Sequence, residues 1–172
     1  MTTPFKEGQF FLLPVERGAY AVGLVVRAPP RGGVLLGYFF GPRRPNAPVQ
    51  EWLNALHPQH AALVCRFKDT ALYRGEWQLL ALLPGFTRAD WPVPPFHRFD
   101  GSSTHAPGSN VVTDWRVEYG DSNLIVPSSE VPAAGPDLKL AEDIAYDPQL
   151  LSAEIAQRVK EMVPTVGDAA WR

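Results

Sequence analysis

Three groups of residues have side chains able to do chemistry. The densest runs from His97 to Asp114: His97, Asp100, Gly101-Ser102-Ser103, His105 and Asp114 supply the base, the carboxylates and the hydroxyls that a hydrolase needs. Their order is generic, and the glycine-flanked serine of a nucleophile elbow is missing. His57 and His60 are three apart, but Pro58 between them disfavours the helical face that would aim both at one metal ion. His97 and His105 lack a third ligand of sensible spacing. Cys65 lies in an apolar run with no histidine placed beside it, so it reads as a small buried hydrophobe rather than a nucleophile. Gly32-Gly33 and Arg43-Arg44 belong to no phosphate-binding fingerprint, and no basic stripe with interleaved aromatics marks a nucleic-acid groove. No catalytic residue, metal ligand or cofactor site is assigned on this pattern. It reads as a binding protein. The alternatives are a small hydrolase using the His97 to Asp114 region and a ligand-binding or scaffold β module with a pocket at a barrel mouth.

The elements that must position these residues begin with three strands, Gln9 to Pro14, Ala19 to Arg27 and Gly33 to Phe40. Glu16-Arg17-Gly18 and Pro29-Pro30-Arg31-Gly32 separate them, too short for crossover helices, so the strands form an antiparallel meander. Period-two alternation puts Tyr20, Val22, Leu24 and Val26 on one face of the second strand and Ala21, Gly23 and Val25 on the other. The second and third strands each carry a glycine near the middle, where a sheet can bend sharply or admit a close neighbour. The expected fold is mainly β with minor α, a curled antiparallel sheet or partly open small barrel. A short helix near 48–56 and a longer one near 148–162 complete it. The longer helix rests on Leu151, Ile155, Val159 and Met162 at helical spacing, with Asp147 as N-cap and Pro164 as the stop.

Two further strands, Ala61 to Phe67 and Trp77 to Leu83, are nearly continuous apolar runs and are expected to be covered on both faces. Val22, Leu24, Leu36, Tyr38, Leu63, Val64 and Leu79 form the predicted core. From Pro84 to Pro107 the chain reads as irregular and proline-stiffened, either a lid over the open end of the sheet or a recognition surface. Strands return at Val111 to Tyr119 and Leu124 to Val126 around the turn Gly120-Asp121-Ser122-Asn123, and Ser128 to Pro136 resembles a linker.

A chain of 172 residues suits a single domain, able to bury roughly 70% of its unfolded surface. Its 18 prolines, about twice ordinary usage, favour short strands and structured loops. One cysteine excludes an intramolecular disulfide. No basic-then-apolar leader is present, and no apolar run approaches the ~20 residues that span a bilayer, which reads as a soluble cytoplasmic protein. The net charge of −2 divides unevenly: residues 1–90 hold ten Lys/Arg against six Asp/Glu, and residues 91–172 hold six against twelve. An acidic half of this kind can steer a basic partner.

The block Glu7-Gly8-Gln9-Phe10-Phe11-Leu12-Leu13-Pro14, followed by Gly18-Ala19-Tyr20-Ala21-Val22-Gly23-Leu24-Val25-Val26, resembles the opening of the immunity protein 26 family of bacterial polymorphic toxin systems. The shared pattern is a strand ending in aliphatic-Pro, a Tyr-containing strand with an internal glycine, and a further hydrophobic strand. Leu72 to Gly75-Glu76-Trp77, leading into an apolar strand, is similar to a second block of that family. The resemblance spans roughly residues 7 to 84, with residues 85–172 as an extension beyond it. It implies a largely β bacterial protein that binds a cognate toxin and neutralises it by occluding or distorting its active site. It carries over no catalytic residue and no contact residue. The partner is thus expected to be a protein toxin, with no direct nucleic-acid or membrane partner and with the oligomeric state open. The acidic half and its proline-stiffened loop point to Trp91, His97, Asp100, Glu118 and Asp121 as the partner-binding surface.

Overall fold

The computed structural model describes residues 3–30, 33–100, 113–160 and 162. Strands β1 (Gln9–Glu16), β2 (Ala19–Arg27) and β3 (Val34–Arg44) form the expected antiparallel meander. A short helix α1 (Gln50–Asn54) and a 3-10 turn lead to β4 (Leu63–Lys68), which pairs antiparallel with β3. Helix α2 (Thr70–Tyr73) then turns the chain into β5 (Gln78–Leu82), which joins the far side of β1. A second, three-stranded antiparallel sheet follows, made of β6 (Phe96–Phe99), β7 (Asp114–Glu118) and β8 (Ser129–Pro132). The chain returns to the first sheet as β9 (Ala145–Tyr146), parallel to β4, before helix α3 (Pro148–Val159). The six-stranded order is β5-β1-β2-β3-β4-β9; both sheets stay open rather than closing into a barrel.

The large sheet is the middle layer of three, which is why β2 and β3 are buried along most of their length instead of alternating in and out. One face carries Phe11, Leu13, Val25, Phe39, Cys65 and Phe67 against Leu151, Ile155 and Val159 of α3. The other carries Phe10, Val22, Leu24, Leu36, Tyr38 and Phe40 against α1, Trp91 and the inner face of the small sheet, including Phe96 and Val117. Cys65 is fully buried, and that burial pushes its thiol far above the ordinary range. A buried thiol held neutral is a poor nucleophile.

Glycine decides how the first of these faces packs. A Cβ at Gly23 would lie 2.1 Å from Phe11 Cζ, and one at Gly37 would lie 2.7 Å from Phe67 Cε1. The rings of Phe11 and Phe67 therefore settle over the two bare backbone positions. Both meet Phe39 edge-on, with centroids 5.9 and 5.5 Å apart, they lie tilted to each other at 5.8 Å, and Trp77 stacks on Phe11 at 5.4 Å.

Several expectations need correction. Val22, Leu24, Leu36, Tyr38 and Leu63 are buried, but Val64 and Leu79 are only half-buried. Strand β5 is not covered on both faces: it is the sheet's edge, with Gln78, Ala81 and Leu82 exposed. The supposed strand at Leu124 to Val126 is a bend, because Asn123 Oδ1 accepts the N–H groups of Ile125 and Val126 at 2.9 and 3.0 Å and so competes with a ladder. The pairing partner of β7 is instead β8, inside the stretch that resembled a linker. Strand β6 lies in the segment read as irregular, and α2 in a segment read as a plain connection. Asp147 occupies the N-cap of α3, but its carboxylate pairs with Lys68 Nζ at 2.8 Å rather than capping an amide.

Truncating Leu36 to Ala is expected to cost roughly 2–5 kcal/mol, and Gly23→Ala about 1–3 kcal/mol or more because the Phe11 ring cannot retreat from a packed cluster. Urea denaturation checks both. An unchanged midpoint for Gly23→Ala would show that the sheet yields where the packing says it cannot.

Candidate functional site

The small sheet is where polar and exposed apolar side chains gather. Alternation puts Phe96, Arg98, Trp115 and Val117 on its inner parity, while His97, Phe99, Asp114, Arg116, Glu118 and Val131 take the outer one. On that outer side Phe99 is 67% exposed and Val131 44%. Around them His97 Nε2 donates to Asp114 Oδ1 at 2.7 Å, and Arg116 donates to Glu118 Oε1 at 2.8 Å and Asp137 Oδ1 at 3.3 Å.

A cleft of about 330 Å³ opens beside β6, lined by His97, Arg98, Phe99, Glu142, Asp143 and Ile144. It exists because the segment leading into β9 runs alongside β6 before it reaches β4. His97 N donates to Ala141 O at 2.9 Å and Asp143 N to His97 O at 2.7 Å, and Ala145 and Tyr146 then pair with Arg66 and Phe67. One short run thus fastens the small sheet to the large one.

The floor of this junction is a buried ionic node. Arg66 Nη2 donates to Asp143 Oδ1 at 2.6 Å and Nη1 to Leu124 O at 2.7 Å, with the two side chains 8% and 3% exposed. The guanidinium also lies 4.1 Å from the centre of the Tyr119 ring, whose hydroxyl donates to Asp143 Oδ1 at 2.8 Å. Burial first, and the Asp143 carboxylate second, push the Tyr119 phenol well above its ordinary range. Arg98 Nη1 reaches Glu130 Oε1 at 2.7 Å and Asp143 Oδ2 at 3.7 Å. Two arginines and two carboxylates cancel here, so the charge left on the lining of the cleft is that of Glu142.

The residues expected to form one partner surface are only partly brought together. His97 and Glu118 share the outer face of the small sheet, and Asp100 closes β6, its N–H donating to Thr113 O at 2.6 Å. Asp121 sits at the opposite end of β7, bonded to buried Arg27 Nε at 2.6 Å. Trp91 is 3% exposed, edge-on to Tyr38 at 5.1 Å and to Phe40 at 6.2 Å, while Tyr38 Oη donates to Pro92 O at 2.7 Å. That geometry is a lid over the sheet, not an exposed recognition residue. Phe99 belongs to the proline-stiffened segment read as a possible recognition surface, whereas Glu142 and Ile144 were not anticipated, since nothing local reveals that residues 141–144 run beside β6.

For the hydrolase alternative, the structure brings His97 and Asp114 together as a hydrogen-bonded pair. Among the described residues no hydroxyl or thiol bonds to His97; Ser102, Ser103 and His105 lie outside them. Among the described residues there is also no group of three or more His, Cys, Asp or Glu side chains able to hold a metal ion, and no helix long and apolar enough to cross a membrane.

A family model described as Immunity protein 26 matches residues 6–106. The match runs past the 7–84 span of the sequence resemblance and takes in the Trp91 lid and β6. No curated protein and no solved structure matches the chain.

Asp143→Asn is expected to destabilise the fold by about 3–5 kcal/mol, because it leaves Arg66 as a buried charge without its counter-ion. Chemical denaturation measures this, and a loss below that of an exposed pair would show that the node is solvated. A pH series tests the same junction. Burial raises Tyr38 and Tyr146 from 10.0 to about 12 and raises Tyr119 further. The folded state thus holds these protons more tightly than the unfolded chain. Their stabilisation is complete below pH 10 and is lost as pH climbs through the folded values. Buried Cys65, raised from 9.0, adds to the same loss from a lower pH, so the melting temperature should be level from pH 7 to 8 and fall from about pH 9 upward, with a shallower alkaline fall in Tyr119→Phe.

Proposed function

The chain belongs to the immunity protein 26 family, whose match covers more than half of its 172 residues, and from that premise we propose that it binds a cognate protein toxin and blocks the toxin's active site. The observation that carries the location of binding is the outer face of the small sheet, where exposed Phe99 and Val131 stand among Asp114, Glu118, Asp137 and Glu142. An apolar centre within a charged rim is the anatomy of a protein interface, in which the centre sets the dissociation rate and the rim sets the encounter rate.

The sign of the rim follows from how the acidic excess is distributed. Residues 96–100 and 113–147 hold nine Asp/Glu and three Lys/Arg. Three of the carboxylates, Asp121, Asp143 and Asp147, pair with Arg27, Arg66 and Lys68 of the large sheet. Six remain against three, so the small sheet and its flanks keep a net negative charge. A basic toxin surface, such as one that grips nucleic-acid phosphates, is the complement. Covering it denies the toxin its substrate without any chemistry on the inhibitor's part.

Association kinetics with the toxin encoded beside the gene test this reading. Glu118→Lys with Glu142→Lys should slow association by about tenfold at low salt and weaken its salt dependence, whereas Phe99→Ala should chiefly speed dissociation. Unchanged kinetics in all three, with the fold intact, would move the interface elsewhere. The His97–Asp114 pair keeps the hydrolase reading in view. It predicts a hydrolytic activity that His97→Ala abolishes while leaving the fold intact.

A further inference from the structure

We propose that β5 is a self-association edge, along which two copies of this chain pair antiparallel about a two-fold axis and join their large sheets into one. Open strand edges present unpaired N–H and C=O groups, and proteins that stay monomeric blunt them with charge, proline or brevity. Among the described residues, three of the four terminal strands are blunted or covered: β6 contains Arg98, and its free side is bonded to residues 141–143. β8 carries Glu130 and ends in Pro132, with Pro127 just before it, and β9 is two residues long. β5 itself contains neither a charge nor a proline, and Pro84 follows two residues after its end. From Trp77 to Leu83 the chain reads Trp-Gln-Leu-Leu-Ala-Leu-Leu, and no charge occurs before Arg88.

The strand is exposed as well as uncharged. Gln78 and Ala81 are exposed and Leu82 is 47% exposed, and β5 stands at the end of the sheet, paired on one side with β1. Its inner side is satisfied: Leu83 N donates to Gly8 O at 2.8 Å, and the Gln9 side-chain amide donates to Leu80 O.

The occupant follows from symmetry. About a two-fold axis the residue at a given distance before the centre meets the one at the same distance after it, so a charge at the centre, or like charges placed symmetrically, would oppose each other, and an uncharged strand avoids this in every register. The flanks are compatible with this. Arg74 pairs with Glu76 at 3.6 Å before the strand, and Arg88 with Glu7 at 2.7 Å after it, so neither end presents an unbalanced charge to its copy. Small Ala81 leaves the backbone approachable, and pairing would bury Leu82 of both copies. A five-residue strand gives a small interface, so the dimer belongs to the weak, concentration-dependent class. The proposal is independent of the toxin-binding reading, which uses the small sheet.

Light scattering coupled to size exclusion, over a dilution series of the full chain, tests it. The expected mass rises with concentration from 19.0 kDa toward twice that value. Leu82→Lys, and separately Gln78→Lys at the other exposed end of the strand, should each weaken the dimer roughly tenfold. Val131→Lys on β8 should leave it intact. In hydrogen exchange, the amides of residues 78–82 should gain protection as concentration rises. A monomer at every concentration overturns the proposal. So does a dimer that both β5 variants leave unchanged while remaining folded, or one that Val131→Lys dissolves.

Discussion

The packing of Phe11, Phe39, Phe67 and Trp77 over the bare backbone of Gly23 and Gly37 is the constraint on which the rest of the structure depends. Each ring pair adds about 0.5–1.5 kcal/mol beyond the area it buries, but geometry matters more than the sum. Because Phe11 and Phe67 sink into the sheet, α3 can lie across this face with Leu151, Ile155 and Val159 in contact. Glycine at these places also lets the sheet curl, and a curled sheet offers a concave second face. That face receives Trp91, α1 and the small sheet as one apolar layer.

A polar joint holds the two sheets at their edge, where apolar packing alone would let them slide. Arg66, Asp143 and Tyr119 come from β4, from the run into β9 and from the end of β7, and each satisfies another's hydrogen-bonding groups. A buried ion pair is a poor source of net stability because desolvation offsets its Coulomb gain, but it tolerates only one arrangement of its partners. That selectivity positions β6 against residues 141–144 and thereby shapes the cleft that His97, Phe99 and Glu142 line.

Local signals revealed most of the large sheet but only the central strand, β7, of the small one. The meander β1–β3 was legible because alternation, turn clusters and glycines agree over Gln9 to Phe40, and α3 because its apolar stripe has one period and Pro148 stands at its first position. β6 has four residues, Phe-His-Arg-Phe, behind a run of prolines, and its identity as a strand is supplied by its partner β7. β8 is Ser-Glu-Val-Pro, which no propensity marks as a strand. Apolar continuity misled at β5, where a run that reads as doubly covered is an uncharged edge. At the candidate site, residue type singled out His97, Asp100 and Glu118, but spacing could not show that Trp91 turns inward or that Asp121 answers buried Arg27. Both depend on contacts between residues 50 to 95 positions apart in sequence, which no local pattern encodes.

The proposed charged binding face coexists with a packed core because the two occupy different parts of the structure. The large sheet contains most of the buried apolar area, and its three buried arginines point toward its periphery, where Arg27 and Arg66 neutralise carboxylates of the small sheet's connections. The carboxylates that remain stand in solvent, where like charges repel weakly and salt screens them. They can therefore be numerous on one face at little cost to folding. The same exposure lets them act at a distance on an approaching basic surface, before any contact is made. Core and face thus draw on different parts of the chain, so substitutions on the outer side of β6 and β7 can alter a partner's rate of capture while leaving the cluster over Gly23 and Gly37 untouched.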